Sequence, residues 1–419
     1  MSSPMVLYAK DLGASATVLG ILAGMMPILV IFQIPAAKHV ERVGYKRFIY
    51  AGWGTRVAFI IGMALVPFSG GFLDKTTQLV LLLMLLFGFN LSRGISSCAW
   101  LPWMTSLIPS ELRGRYLLRD AAFLNVSSFA VFLIAAFSLG SRPQSWQFAM
   151  LFAFSAVMGA TSLVFIKRIP EPAKAEHIRT SSQLVPWREI AAYPPFRKLL
   201  RMNFAWSLAY GGLNTFVVAF LKTEAGLSER NIMLVSSTTF LGGLCSLWFL
   251  GSRLDRLGSK PVLTFSMLAW ICILAGWVCL SGKLIAPVLG VFVALQFLMG
   301  LTASLVTLSN TRLAMAIIPP MGRSHFFALF SVVASLTLGL SPIFWGLSID
   351  AARTVHRVWH GFEWNRFSLF FAAVALMFSV TLWLCRRLDE PQAASMETLL
   401  RDILEQSPLR FWLRFWPRG

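Results

Sequence analysis

The sequence predicts an all-α polytopic membrane protein: two six-helix halves related by internal duplication, with about eleven spans present of a twelve-helix parent. Three observations predict it. The chain is 57% hydrophobic and only 13% charged, where soluble domains carry about 25% charge. Eleven apolar runs reach the roughly 20 residues that a bilayer core asks of a helix; they fall near 14–37, 48–69, 79–108, 117–140, 146–166, 199–221, 230–250, 261–282, 286–312, 324–349 and 367–385. Ordered internal matches recur 213 to 219 positions apart. The alternating ten-residue segments of a β-barrel are not seen in the sequence.

The matches set the organisation. AKHVERVGYK (37–46) resembles GSRLDRLGSK (251–260), and LYAKDLGAS (7–15) resembles FLKTEAGLS (220–228). KRIPEP (167–172) matches RRLDEP (386–391), and WREIAAYPPFRKLLR (187–201) matches LRDILEQSPLRFWLR (400–414). Near-constant spacing of ordered matches indicates duplication. The expected units are an N-terminal half over 1–168, a cytoplasmic linker over 169–198, a C-terminal half over 199–388 and a cytoplasmic amphipathic tail over 389–419. The second half holds six runs and the first five. The counterpart of the 199–221 run projects to about −14 to 8, so most of the parent's first helix is expected to precede Met1; an eleven-helix protein is the plainer reading.

The net charge of +19 does not point to nucleic acid, because of where it lies. With the two decapeptides placed in the cytoplasm, the inner segments carry 26 Lys and Arg, the outer ones 9, and Arg56 and Arg93 fall inside spans. That bias orients the chain and suits anionic lipid of the inner leaflet. The expected location is a bacterial cytoplasmic membrane, with linker and C-terminus inside. The five cysteines show no CxxC or metal-ligand spacing and read as packing residues. No cofactor or metal is expected, and the chain reads as a monomer. P-loop, GxGxxG, HExxH and GxSxG motifs are absent from the sequence, so neither ATP-driven transport by this chain alone nor an enzyme is the reading.

The decapeptides resemble the loop between the second and third helices of each half in the major facilitator superfamily, Gly-x-x-x-Asp-Arg-x-Gly-Arg-Lys/Arg. The later copy keeps Gly251, Asp255, Arg256, Gly258 and Lys260. The earlier has Ala37 and Glu41 in place of Gly and Asp, and keeps Arg42, Gly44 and Lys46. Gly44 and Gly258 suit backbone angles closed to other residues. The resemblance implies that Glu41 and Asp255 latch a cytoplasmic gate, with Arg42 and Arg256 as charge partners; topogenic charge alone is the plainer reading. IPSELRGRY (108–116) resembles the junction between the family's fourth and fifth helices, and IPPMGRSHF (318–326) echoes it weakly.

Charges inside spans mark a cavity, a partner or a route. Arg93 lies at the centre of its run, Arg56 nine residues into another, and no acid lies mid-span. Three partners fit Arg93: a substrate anion, held through paired guanidinium hydrogen bonds; Asp120 on the next helix; or a carboxylate on the helix expected before Met1. Asn90 shares its helix face. Asn203, Tyr210 and Asn214, spaced 7 and 4, form one polar stripe. Trp100, Trp103 and Trp206 either stack on a solute ring or fill the bundle. Gly20 and Gly24, and Gly339, Pro342 and Gly346, permit close approach and bending.

These readings converge on secondary active or facilitated transport of a small polar organic solute, anionic if Arg93 binds it, by alternating access. A non-transporting sensor or assembly factor on the same fold, and a drug/proton exporter, are the competing readings. The Gly-Pro signature that exporters of the resembled family carry in the fifth helix is absent from 117–140.

Overall fold

The computed structural model describes residues 2–108, 113–140, 143–171, 193–250, 258–317 and 323–388. Fifteen helices follow one another among them. The first half contains α1 (Ser2–Asp11), α2 (Ala16–Leu29), α3 (Gln33–Val43), α4 (Tyr45–Leu65), α5 (Lys75–Ser97), α6 (Trp100–Leu107), α7 (Arg113–Leu139) and α8 (Ser145–Arg168). The second contains α9 (Pro194–Tyr210), α10 (Leu213–Thr223), α11 (Glu229–Leu250), α12 (Ser259–Ser281), α13 (Leu289–Ile317), α14 (Arg323–Ala351) and α15 (Arg366–Arg386). Short 3-10 segments, Val30–Phe32 and Val66–Gly71, continue α2 into α3 and extend α4. Among the described residues, ten helical stretches are long and apolar enough to cross a membrane. The remaining run, 230–250, is helix α11.

Local chemistry starts the helices where the runs begin. Ser15 caps α2 by accepting from the Val18 amide, and Asp74 caps α5 by accepting from the Thr76 and Thr77 amides. These caps satisfy amides that have no partner within the helix. Gly44 and Gly258 precede α4 and α12 with φ/ψ of 88/149° and 82/165°, a region essentially reserved for glycine. The expectation for these two loop glycines therefore holds at the backbone. Gly251, Asp255 and Arg256 lie outside the described residues, as do the side chains of Glu41 and Arg42 and most of the tail and linker.

The apolar surface is turned outward, as lipid requires. Leu65, Phe123, Phe137 and Phe165 are all more than 60% exposed on their helices, while tryptophans Trp270 and Trp277 are fully buried. Of the cysteines, only Cys385 is buried, and Cys245 and Cys272 are exposed, so most of these thiols do not fill a core.

Two seams join the halves, α2 against α14 and α7 against α11. The first is closed by missing side chains. A Cβ on Gly20 would lie 2.2 Å from the Pro342 carbonyl oxygen, and one on Gly24 would lie 2.2 Å from that of Gly339. The second is filled by Phe132 edge-on to Phe240, with ring centroids 5.0 Å apart.

The run at 199–221 differs from its expectation. It is two helices, broken at Gly211–Gly212, with Gly212 at φ 77°. Ser341 donates to the carbonyls of Leu208 (2.6 Å) and Gly211 (3.1 Å), and Trp345 Nε1 donates to Leu208 (2.7 Å). These donors from α14 satisfy carbonyls that the break frees. A short hairpin, β1 (Arg357–Trp359) and β2 (Phe362–Trp364), pairs Arg357 with Trp364 across a His360–Gly361 turn in which both residues have positive φ. Such turns match strand twist, and the hairpin was not expected from the sequence.

Candidate solute path

The expected path residues divide into those fixed by neighbours and one that is not. Arg56, on α4, is fixed. Its guanidinium donates to the Ser96 hydroxyl and to the Arg93 carbonyl oxygen (3.4 Å), and lies 4.6 Å over the Trp53 ring. Gly52 permits this, since a Cβ there would meet that of Ser96 at 2.3 Å. Ser92 Oγ donates to the Gly52 carbonyl at 2.9 Å. Arg56 thus straps α4 to α5.

Arg93, on α5, is half-buried beside Gly94, whose missing side chain lets α5 approach the Leu29 carbonyl of α2. Among the described residues its guanidinium has no carboxylate partner. Asp120 is exposed on α7 and forms no ion pair with it, so the salt bridge weighed from the sequence is absent. The physical reason is orientation: the α7 face carrying Arg119 and Asp120 points out of the bundle. Asn90 is buried, and its amide donates to Leu86 in its own helix (3.0 Å).

The polar stripe of Asn203, Tyr210 and Asn214 is interrupted. Asn203 is buried and pairs reciprocally with Asn310 of α13, at 3.1 and 2.6 Å. Tyr210 stacks on Trp206, with centroids 5.0 Å apart and planes 10° apart, and accepts weakly from Asn214 at 3.5 Å. Asn214 lies beyond the helix break, so the spacing of 7 and 4 does not describe one continuous face. It borders a cavity of about 60 Å³ between the halves, with Ser236, Thr239, Gln296, Phe132 and Phe240. Thr239 donates to Gln296 Oε1 at 2.9 Å, and the buried Ser236 hydroxyl has no partner among the described residues. This volume is enough for only a few waters, well short of the few hundred Å³ of a solute pocket. Trp103 fills the bundle, fully buried with Nε1 donating to the Pro170 carbonyl at 3.1 Å.

A family profile described as Major Facilitator Superfamily matches residues 1–229 and again 207–417. The chain belongs to this superfamily. The double match agrees with the duplication, and the fold is that of the superfamily's membrane transporters. A crystal structure of a D-xylose–proton symporter superposes with a TM-score of 0.73 at 12% identity, over 93% of this chain and 94% of that one. The inward-open xylose transporter XylE from E. coli gives 0.69 at 12%, over 96% and 95%. The nucleoside transporter NupG gives 0.59 at 13%, over 92% and 94%. Likeness at these identities speaks for the fold. No sequence match to a curated protein was found.

The sequence missed a group of residues at the face opposite the decapeptides. Lys222 pairs with Glu229 and lies 3.7 Å from Asp11. Arg366 pairs with Glu224 at 2.7 Å. Asp350 accepts from the α2 N-terminus. These residues flank the apolar runs, where a charge reads as topology until its neighbour is known. Burial pushes the Asp11 carboxyl above its usual range, against the pull of Lys222 and Lys75.

Proposed function

We propose that this superfamily member carries a small organic anion across the membrane by alternating access, with Arg93 as the charge that holds it. The supporting observation is a half-buried guanidinium on a membrane-spanning helix with no carboxylate partner among the described residues. Leaving such a charge unpaired in a low-dielectric interior is costly. Guanidinium binds carboxylate or phosphate bidentately. Arg56 lies beside it and adds positive field without being free to move. The broken α9–α10 element and the glycine seam supply a bend and a sliding surface of the kind that rocking halves use. The Lys and Arg excess on the decapeptide side suits anionic headgroups, and Glu41, Arg42, Asp255 and Arg256 belong to the proposed cytoplasmic gate.

The test is uptake into vesicles of reconstituted protein, over a panel of carboxylates, phosphates and their neutral analogues. Arg93→Ala abolishes uptake of the transported anion, Arg93→Lys retains part, and Arg168→Gln, a loss of charge at the end of α8, leaves it intact. Equal uptake by Arg93→Ala and the parent sinks the assignment of Arg93. A neutral solute carried better than any anion sinks the anion.

A further inference from the structure

The halves are tied together at the face opposite the decapeptides by two quasi-equivalent contacts. In one, Asp350 at the end of α14 accepts from the Ala16 amide (3.1 Å), the Thr17 amide (2.7 Å) and Thr17 Oγ1 (2.6 Å). Ala16 and Thr17 open α2. Advancing 213 positions from Thr17, the duplication offset, reaches Arg230 in the first turn of α11. Its amide donates to the Gly140 carbonyl (3.0 Å), just past the end of α7. The N-termini of α2 and α11 are therefore each stoppered by an oxygen from the helix they face in the other half, α14 and α7. In one copy the stopper is a neutral carbonyl. In the other it is a carboxylate with three hydrogen bonds, set where free amides and the helix dipole favour an anion.

Directly below this contact the glycine seam brings α2 and α14 to backbone contact at Gly20, Gly24 and Gly346. Arg353, Lys10 and Arg366 line the adjoining cavity of about 150 Å³ with Asp350. Arg366 is engaged by Glu224 and Lys10 Nζ by the Ala14 carbonyl, so the Asp350 carboxylate is spent on α2.

We propose that Asp350 is the latch of the outer gate: its carboxylate clamps α2 to α14 in the outward-closed conformation, and this clamp must break each time the path opens to that side. The proposal rests on the alternating-access reading above. It concerns a positioning residue that touches no solute.

The experiment uses two reporters in the full-length protein in native vesicles, each read by peptide-resolved labelling with a membrane-impermeant maleimide, the native cysteines serving as internal controls. Ala219→Cys sits on α10, 4% exposed, in the cavity under the latch. Ser335→Cys sits on α14 in the cleft toward Pro27 and Ile31, nearer the decapeptide side. In Asp350→Ala the outer reporter labels about tenfold faster or more, the shift expected from losing one or more charge-assisted hydrogen bonds, and the inner reporter slows. Asp350→Asn gives a smaller change of the same sign, since its amide oxygen still accepts. Should Asp350→Ala fail to fold, Thr17→Val removes one of the three bonds and gives a few-fold change on both reporters. Unchanged labelling in Asp350→Asn and Thr17→Val overturns the latch. So does a faster outer reporter with an unchanged or faster inner one, which marks local fraying. Absence of uptake for every solute removes the transport reading but leaves the labelling result to stand or fall alone.

Discussion

Gly20→Ala tests the seam between the halves with a single methyl group. The added Cβ would lie 2.2 Å from the Pro342 carbonyl oxygen and 2.8 Å from its carbon. Both are backbone atoms of a helix, so neither can rotate away. Bringing the pair to even 3.0 Å requires α2 and α14 to part by at least about 0.8 Å along a close-packed interface. Overpacking of this kind costs about 1–3 kcal/mol, with rigid backbone at the high end. Replacing glycine by alanine inside a helix returns about 0.8–1 kcal/mol. The net expectation is a loss of about 2 kcal/mol. Gly54→Ala is the matched control, because its Cβ would meet nothing within 4 Å. It keeps the propensity gain and stabilises by up to about 1 kcal/mol. Gly24→Ala meets the Gly339 oxygen at 2.2 Å one turn further on. The double variant Gly20→Ala/Gly24→Ala costs less than the sum, since one separation relieves both clashes. The assay is thermal unfolding of purified protein followed by tryptophan fluorescence. If Gly20→Ala unfolds at or above the temperature of Gly54→Ala, the halves do not meet at this seam and the packing described above is wrong.

Other outcomes follow from the same geometry. Asn203→Ala leaves the half-buried Asn310 amide without its partner and costs about 1 kcal/mol; the double variant Asn203→Ala/Asn310→Ala recovers part of that loss, read as a coupling energy in a thermal double-mutant cycle. Gly44→Ala and Gly258→Ala force alanine into a glycine-only region at about 1–3 kcal/mol each. At Gly44 the added Cβ would also come within 2.5 Å of Glu171 Oε1, the movable end of an exposed side chain, so backbone strain sets the cost, and unfolding temperatures unchanged by these substitutions would contradict it. For Asp11, burial raises the folded carboxyl above its unfolded value of about 3.9. In that window the folded state binds more proton than the unfolded one, so stability falls as pH rises through the raised value. From about pH 4 upward, the melting temperature of the unsubstituted protein should therefore change less favourably with rising pH than that of Asp11→Asn, which lacks this loss. Asp74 behaves oppositely. Thr77 and Thr76 donate to its carboxylate and hold its value down, so the stability it adds as the α5 cap is lost as pH falls through that lowered value, and Asp74→Asn removes this acid-side loss.

Much of the architecture was legible because it depends on local pattern. Run length gave the spans, and Gly44 and Gly258 announced a positive φ by their place in a repeated loop. Gly20 and Gly24 announced a close approach by their spacing, without naming Gly339 and Pro342 as what they approach. The candidate site was less legible, for reasons that differ by residue. Asn203, Tyr210 and Asn214 share a face only if their helix is continuous, and the pair Gly211–Gly212 ends that premise. Arg56 and Arg93 look alike as buried cations in sequence. What separates them is Ser96 and Trp53 on the one hand and the absence of any described acid on the other, both facts of three-dimensional neighbourhood. Asp350 lies at the end of an apolar run, where an acid looks topological. Its meaning comes from Thr17, 333 positions earlier.

The glycine seam also shapes how the gene tolerates change. Every substitution at the first or second base of a glycine codon replaces the residue, and every replacement adds at least a Cβ. At Gly20, Gly24 and Gly339 that atom has nowhere to go. A random-mutagenesis screen for lost uptake would therefore return these codons repeatedly, far from Arg93 and regardless of which solute was used for selection. Suppressors of such alleles would map to the facing helix rather than to the solute path, because relief must come from what the added atom meets there: the backbone of Pro342 and Gly339 for Gly20 and Gly24, and Ile28 for Gly339.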